Sequence, residues 1–285
     1  MELLQLKYFC DAAQTENFSV TAKKFGVPAS NISQSIHRLE QELETELFER
    51  SANRVRLGNK GKMFYQEVKQ AMLCLDNAKK AVRDDGKMCG EINICILTNR
   101  RIVTEVIGAF KKKYPEVTFR IRHTLSENAE SFDLVVGDNT LFLPDFTATA
   151  LLKEKLCLAV HKSYASEKMD TLRFITMQKN ASQYFCTLEA GKRFGFVPNI
   201  AIETDDPFYV REYIEMGLGA AIVPVFSWKG LFSDKISFLE LKDFSRVTNV
   251  YTNRARYKSK VVLKFQNALF DACKAEKQRE LLHLD

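Results

Sequence analysis

Long apolar runs are missing from this sequence. No segment approaches the ~18 consecutive apolar residues that a membrane-spanning helix needs. The first five residues also lack the basic start and the apolar stretch of an export signal. We therefore expect a cytoplasmic protein that makes no contact with a membrane.

Cysteine and histidine are too few and too scattered for a disulfide framework or a metal site. The seven cysteines are an odd number without a CxxC pair, and none of the four histidines stands at ligand spacing. No nucleophile elbow or other catalytic arrangement is present. The sequence thus predicts no cofactor, no metal, no catalytic residue and no enzyme activity. Cys89 and Cys186 remain open as redox-active thiols.

Positive charge is not concentrated in the N-terminal region, although the whole chain carries a net charge of +6. Residues 1–58 contain seven lysines and arginines against eight acidic residues. Bulk charge therefore does not indicate nucleic-acid binding. A local pattern does, because residues 40–49 hold five of the acids whereas residues 50–62 contain five basic residues and no acid. One edge of this region is suited to contact phosphate.

Apolar residues at helical spacing predict three helices in the first 43 residues. The second begins near Ser19, a suitable N-cap, and ends at Gly26. A small Ala22, then Gly26, then Ile32 are what two helices that cross at a tight turn require. The third helix turns these side chains inward: Ile32, Ile36, Leu39 and Leu43. The pattern is typical of a helix-turn-helix, with an ordinary helical hairpin as the open alternative.

The outward face of the third helix carries compact hydrogen-bonding side chains, whereas a merely solvated face would more often carry lysine and glutamate. Their size suits base edges in a major groove. Beyond this helix, residues 47–50 are predicted to close a helical stretch, and residues 55–57 predict a short strand that resembles a wing. The candidate DNA contacts are Ala29, Ser30, Ser33, Gln34, His37, Arg38, Arg50, Arg54 and Arg56.

Across this whole region the sequence resembles the LysR-type regulators. The matching positions are Leu6, Phe9, Phe18, Ala22, Val27, Ser33, Ile36, Leu39, Glu40, Leu43, Leu47, Phe48, Arg50, Leu57 and Gly61. The chain departs from the family pattern at Ala29 and Ser30, where Gln-Pro is usual, and at Gly58, where threonine is usual. Ala29 has no hydrogen-bonding group, so it would contact DNA through an apolar surface such as a thymine methyl group. The resemblance implies a winged helix-turn-helix over residues 1–58 that binds double-stranded operator DNA.

Residues 60–83 contain no proline and carry apolar residues alternately four and three positions apart, which predicts a long helix with a heptad seam. The seam consists of Phe64, Val68, Ala71, Leu75, Ala78 and Val82. Because the rest of this helix is polar, the seam predicts a homodimer or homotetramer, with packing on the chain's own C-terminal domain as the alternative. A dimer would bind an inverted repeat with half-sites about one helical turn apart, or a multiple of it. We assign residues 59–88 to this linker helix and its hinge.

Residues 89–285 alternate strand and helix patterns and predict an α/β domain of two lobes. We place lobe I at residues 89–160 plus 255–285 and lobe II at residues 161–254. The resemblance implies a fold similar to periplasmic solute-binding proteins, with a small-molecule effector between the lobes. Arg100 and Arg101 at a helix start suit an anionic effector such as a small carboxylate. The candidate effector residues are Thr98, Asn99, Arg100, Ser126, Thr204 and Asp205.

Together these features predict a sequence-specific transcription regulator controlled by a small-molecule effector, with RNA polymerase as a further candidate partner. A cysteine-based redox sensor of the same architecture and a regulator without an effector remain open. A secreted solute-binding protein would share the C-terminal fold, but it would carry an export signal and would not need residues 1–90.

Overall fold

A computed structural model describes residues 1–51, 54–84, 86–125, 129–228 and 230–282. The chain divides into two compact units, Met1–Arg83 and Asp84–Asp285. Within the described ranges, no helix is both long and apolar enough to cross a membrane. Ser126, one of the predicted effector residues, lies outside the described residues.

The N-terminal unit places a pair of short strands between its third and fourth helices. Its elements are α1 (Leu3–Thr15), α2 (Phe18–Phe25), α3 (Ala29–Glu42), β1 (Phe48–Ser51), β2 (Arg54–Leu57) and α4 (Asn59–Arg83). The N-cap of α2 is Asn17, whose side chain accepts hydrogen bonds from the Ser19 and Val20 amides, so the prediction that Ser19 caps this helix is wrong. Gly26 ends α2 in the left-handed conformation, at φ 66°, as its position predicts.

The apolar face of α3 is buried in the core of this unit. Ile32, Ile36 and Leu39 are fully buried, and Leu43 is half-buried against the same cluster. The predicted helical stretch over residues 47–50 is wrong, because β1 occupies it and pairs antiparallel with β2. The reason is local: Glu44 turns into the left-handed region at φ 49°, and the chain beyond it extends.

The fourth helix begins inside this core and then leaves it. Val68 is only 5% exposed, and Phe64 packs against the same core with its ring 5.2 Å from that of Phe9. The prediction that Phe64 and Val68 belong to a dimer seam is therefore corrected, since these side chains pack within their own unit. Further along α4 the seam residues are exposed: Ala71, Leu75, Ala78 and Val82.

The second unit confirms the expected mixed α/β class. Its elements are β3 (Gly90–Ile96), α5 (Arg100–Lys113), β4 (Val117–Arg122), β5 (Leu134–Asp138), β6 (Phe146–His161), β7 (Arg173–Met177), α6 (Ser182–Phe194), β8 (Asn199–Thr204), α7 (Pro207–Glu215), β9 (Ala221–Pro224), β10 (Ile236–Asn253) and α8 (Lys260–Leu282). Six strands form one sheet in the order β4-β3-β5-β10-β6-β9, and β7 pairs with β8 in a separate parallel sheet. Strands β3, β4 and β5 are parallel, whereas β10 runs antiparallel to both β5 and β6.

Two long strands, β6 and β10, connect two apolar cores in this unit. Val250 of β10 packs in a core with β3, β5 and α5, whereas Leu156 and Leu158 of β6 pack in a second core with β7 and α6. Leu241 and Phe244 of β10 also pack in the second core, and Leu151 of β6 packs against the first, so each long strand contributes to both cores. The lobe boundaries predicted at residues 160 and 254 therefore do not separate the two cores.

Candidate nucleic-acid interface and ligand cavity

Opposite faces of α3 have opposite character. While its apolar face is buried, Ser30, Gln34 and His37 are exposed and Ser33 is half-buried, which leaves one polar stripe open to a ligand. Gln41 Nε2 lies 3.1 Å from His37 Nε2 and extends this stripe by one turn. The remaining helical candidates, Ala29 and Arg38, are also exposed.

Glu40, at the end of the same helix, holds the first strand of the hairpin in place. One carboxylate oxygen accepts hydrogen bonds from the Leu47 and Phe48 amides at 2.9 and 3.1 Å, and the other lies 2.6 Å from Arg50 Nη2. The Glu40 side chain is buried, so these contacts act in a medium where charge-assisted hydrogen bonds are strong. Sequence reasoning missed this role, although Glu40 was among the residues that carried the family resemblance.

The hairpin of β1 and β2 carries two of the predicted arginines on its surface. Arg54 and Arg56 are exposed, and Arg56 stands opposite Glu49 in the strand register. The edge of β2 is anchored by the Leu57 amide, which donates to Glu16 Oε1 at 2.8 Å. Arg50 differs from the other two, because its guanidinium pairs with Glu40 and lies 5.8 Å from the centre of the Phe18 ring.

The second unit contains a cavity of about 650 Å³. Four of the predicted effector residues line it: Thr98, Asn99, Arg100 and Asp205. Thr204 does not line this cavity. Its carbonyl oxygen accepts a hydrogen bond from the Gln178 amide at 3.0 Å, and its Oγ1 accepts one from the Asp206 amide at 3.4 Å. The prediction that Thr204 contacts the ligand is therefore corrected, because its oxygens stabilise the turn after β8.

Among the residues that the structure describes, buried polar atoms without a hydrogen-bond partner cluster where β3 leads into α5. They are Thr98 Oγ1, Asn99 Oδ1 and Arg100 Nε. Thr98 and Asn99 are only 6% and 5% exposed, and Asn99 adopts the left-handed conformation at φ 55°. Its Nδ2 donates to Thr248 Oγ1 at 2.6 Å, which fixes the amide. Leaving such atoms unpaired is costly, and their position in the cavity wall makes them accessible to a ligand.

A buried ion pair that sequence reasoning missed stands in the same wall. Arg246 and Glu154 are paired residues in the register of β10 and β6, and Arg246 Nη2 lies 2.9 Å from Glu154 Oε1. Glu154 Oε2 accepts from both the amide and the hydroxyl of Ser227. Ser182, which also lines the cavity, donates to Asp138, and its Oγ lies 3.5 Å from Arg246 Nη1. Only the strand register brings residues 92 positions apart together, and no local sequence signal predicts it.

Apolar and aromatic side chains form the rest of the wall. They are Met177, Phe185, Phe208, Trp228 and Leu231, contributed by the end of β7, by α6, by α7 and by the segment after β9. Phe185 and Phe208 are 43% and 50% exposed. No local signal in the sequence distinguishes these residues of a cavity wall from residues of a packed interior, since both are large and apolar.

Cys186 and Cys89, the two cysteines left open as redox-active thiols, differ in exposure, since Cys186 is buried. Burial raises the pKa of the Cys186 thiol to about 11, against the weaker opposing effect of Arg246 nearby. A thiol of this pKa is almost entirely protonated at neutral pH and is a poor nucleophile. Cys89 is exposed. Among the residues that the structure describes, no group of three or more His, Cys, Asp or Glu side chains is arranged to hold a metal.

Two family models match this chain over most of its length. One, described as the bacterial regulatory helix-turn-helix protein of the lysR family, matches residues 3–62, and the other, described as the LysR substrate binding domain, matches residues 85–274. The chain belongs to the LysR family. This LysR-family protein is a DNA-binding transcription regulator with an effector-binding domain.

Known LysR-family proteins resemble this chain along most of its length. The transcriptional dual regulator GltC of Bacillus subtilis (strain 168) is 29% identical over 242 residues, which cover 79% of this chain and 81% of GltC. The structure of the LysR-family regulator CbnR has a TM-score of 0.63 at 18% identity, covering 96% of this chain and 99% of CbnR. CbnR has also been solved with its target DNA, with a TM-score of 0.62 at 19% identity, 95% coverage of this chain and 100% of CbnR. These structural likenesses show that the fold is shared.

Proposed function

We propose that this regulator binds an inverted repeat in DNA as a dimer and that a small anionic ligand in the cavity controls this binding. The observation that carries the proposal is the group of unpaired buried atoms on Thr98, Asn99 and Arg100 in the cavity wall. A buried donor or acceptor without a partner costs about 1–3 kcal/mol, and a ligand that supplies the partner recovers this energy. The arrangement thus favours a ligand-bound state.

On the DNA side, the exposed stripe of α3 supplies the base contacts. Ser30, Ser33, Gln34 and His37 carry the donors and acceptors that the major groove presents to a helix, and Ala29 offers an apolar contact for a thymine methyl group. Arg38, Arg54 and Arg56 lie where phosphate or a neighbouring minor groove would meet them. Arg50 acts mainly by holding the hairpin through Glu40, and its remaining exposed surface is available to phosphate.

Dimerisation uses the exposed half of α4. Leu75 and Val82 are 45% and 89% exposed, and Ala71 and Ala78 are exposed on the same stripe. Large apolar side chains at heptad spacing on an otherwise polar helix favour a second copy of the same helix as their partner. Since a symmetric dimer presents two copies of α3, the target has two half-sites related by inversion. Contact with RNA polymerase and location in the cytoplasm stay predictions.

Ligand control follows from the elements that line the cavity, because α5 also packs in the first core and α6 in the second. A ligand that binds one arrangement of the cores more tightly than another shifts the population toward it, and any DNA-bound dimer geometry that depends on this arrangement shifts as well. The two long strands that serve both cores are the elements on which such a change would act.

Selection of binding sites from a random duplex library, with the full-length protein, tests the DNA part of this proposal. Recovered sites are expected to be inverted repeats whose half-sites lie about one helical turn apart or a multiple of it. Leu75→Glu should convert the protein to a monomer in sedimentation and reduce operator affinity, while Gln70→Glu on a polar face of α4 should not. Recovery of single half-sites, or a dimer unaffected by Leu75→Glu, would contradict the proposal.

A further inference from the structure

Three of the four arginines that line the cavity are neutralised by a carboxylate of the chain. Arg101 pairs with Glu105, Arg211 with Glu212 and Arg246 with Glu154, each at 2.9 Å. A ligand anion that bound to these arginines would have to compete with a carboxylate already in place. They therefore contribute little to the attraction of an anion into the cavity.

Arg100 is the exception among the four. In the part of the chain that the structure describes, its Nε is buried without a hydrogen-bond partner. It is the first residue of the 14-residue helix α5, next to the unpaired atoms of Thr98 and Asn99. Helix N-termini favour negative charge, and a guanidinium beside one gives a carboxylate charge-assisted hydrogen bonds. This corner of the cavity is suited to one carboxylate group.

Among the described residues of the cavity wall, the remaining charges do not favour a second anionic group on the ligand. The cavity wall also carries Asp138, Asp205 and Asp206, which repel negative charge. Asp138 is buried and accepts hydrogen bonds from Thr140 and Ser182, and Asp206 caps α7 by accepting one from the Phe208 amide, so these acids are held in place. The balance of charge thus favours a monoanion over a dianion.

The body of the ligand would meet the apolar wall. Phe185, Phe208 and Leu231 are 43%, 50% and 37% exposed, and Trp228 also lines the cavity. Large apolar side chains left open around a cavity mark a surface that a ligand covers, and aromatic rings prefer aromatic partners in stacked or edge-to-face contact. The cavity volume of about 650 Å³ is in the range that holds a small organic molecule.

We infer that the effector of this cavity is an aromatic monocarboxylate, with its carboxylate at Thr98, Asn99 and Arg100 and its ring against Phe185, Phe208 and Trp228. The inference rests on the proposed function, because it names the ligand class of the same cavity. It narrows the anionic effector predicted from the sequence by excluding small aliphatic acids, which leave the apolar wall uncovered, and dicarboxylates, whose second charge faces the aspartates.

Calorimetric titration of the full-length protein with four probes tests this assignment. Benzoate has one aromatic ring and one carboxylate, and terephthalate adds a second carboxylate. Acetate has the carboxylate without a ring, and benzyl alcohol has the ring without a carboxylate. Benzoate should bind at least about tenfold more tightly than each of the other three. Trp228 is the single tryptophan of the chain and lines the cavity, so its fluorescence reports the same binding independently.

Variants at the carboxylate position and at the apolar wall show where the probe binds. Arg100→Gln should weaken benzoate binding about tenfold to a hundredfold, and Arg100→Lys, which keeps the charge, should retain part of the affinity. Phe208→Ala should weaken it about tenfold. Arg122→Gln and Phe142→Ala change exposed residues that do not line the cavity and should leave benzoate affinity unchanged. Thermal unfolding of each variant confirms that it is folded.

The outcomes separate this inference from the proposed function. Terephthalate or acetate binding as tightly as benzoate, or no binding by any probe, would overturn the aromatic monocarboxylate while leaving ligand control by another class of molecule intact. Benzoate binding that Arg100→Gln and Phe208→Ala do not affect would overturn it as well. Benzoate that binds as expected without changing DNA binding would instead refute ligand control and leave the assigned ligand class standing.

Discussion

Arg246 and Glu154 form a buried ion pair across the two longest strands of the protein. Arg246 Nε and Nη2 both lie 2.9 Å from Glu154 Oε1, and the two side chains are 9% and 0% exposed. Glu154 also accepts two hydrogen bonds from Ser227, so the pair ties β6 and β10 to the segment that follows β9. Because Arg246 and Ser227 line the cavity, this pair supports the ligand site from behind.

Removal of the Glu154 charge should destabilise the second unit strongly. Glu154→Gln leaves the guanidinium of Arg246 buried without a counter-charge, which costs about 3–5 kcal/mol when one partner of a buried pair is lost. Urea unfolding followed by circular dichroism measures this loss. Glu240→Gln breaks the exposed pair with Lys155 and should change the unfolding free energy by less than about 1 kcal/mol.

The double variant Glu154→Gln with Arg246→Met removes both charges and should recover much of the lost stability, because no uncompensated charge then remains buried. If the double variant were as unstable as the sum of the two single variants, the pair would not be the reason for the loss.

Gly61, in the first turn of α4, allows the linker helix to pass against the hairpin. A Cβ atom at this position would lie 2.7 Å from Leu57 Cδ1 and closer still to the carbonyl oxygen of Leu47, which is backbone and does not move freely. Gly61→Ala should therefore destabilise the N-terminal unit by about 1–3 kcal/mol, measured as a lower midpoint of thermal unfolding and weaker DNA binding. Gly108→Ala in α5 has nothing within 4 Å and should stabilise its helix by about 0.5–1 kcal/mol. Equal effects at the two glycines would contradict the steric explanation.

The N-terminal unit was largely predictable because its signals are local. The spacing of Ile32, Ile36 and Leu39 fixes which face of α3 is buried, and Gly26 fixes the turn before it. The errors at Ser19 and at residues 47–50 are also local, since each depends on one side chain finding a particular backbone amide. Asn17 and Glu40 make these contacts, and the spacing of hydrophobic residues does not predict either of them.

The cavity was predictable only in part, because many of its residues are brought together from distant parts of the sequence. Thr98, Asn99 and Arg100 follow a recognisable buried strand, so their position at a strand end was visible in the sequence. Arg246 and the aromatic wall reach the same cavity through strand pairing and helix packing between residues far apart in the chain. Thr204 was misplaced because the turn after β8 uses its oxygens internally.

Cys186 should be inert toward peroxide and alkylating agents in the folded protein. With its pKa raised to about 11 by burial, only about one thiol in ten thousand is ionised at pH 7. Iodoacetamide labelling followed by mass spectrometry should modify the exposed Cys74 and Cys89 and spare Cys186 until the chain is unfolded. Rapid labelling of Cys186 at neutral pH would instead support a redox sensor.

The raised pKa of Cys186 should also make the stability of the protein depend on pH under alkaline conditions. The folded-state pKa of Cys186, about 11, lies above the ordinary value of 9.0, so the unfolded state loses this proton first as the pH rises. The contribution of this thiol to the unfolding free energy is complete below pH 9 and declines between pH 9 and 11. Cys186→Ser should therefore weaken the dependence of stability on pH in that window.

Gln34 and Arg56 should affect DNA binding in different ways. Gln34→Ala removes the amide that we propose reads a base, and it should lower discrimination between the selected operator and random duplex by about 1–3 kcal/mol. Arg56→Ala removes a phosphate contact and should weaken both complexes alike, with the salt dependence of log K reduced by about one. Filter binding at several salt concentrations measures both effects, with Gln70→Ala as the control. Equal losses on both DNAs for Gln34→Ala would remove it from the base-reading stripe.

Footprinting of the full-length protein on its selected operator, with and without saturating benzoate, tests most directly whether the cavity controls DNA binding. The ligand is expected to change the extent of protection or the hypersensitive positions between the half-sites for the unmodified protein. Arg100→Gln at the same benzoate concentration should retain the ligand-free footprint. A footprint that stays the same while calorimetry shows the cavity occupied would contradict ligand control.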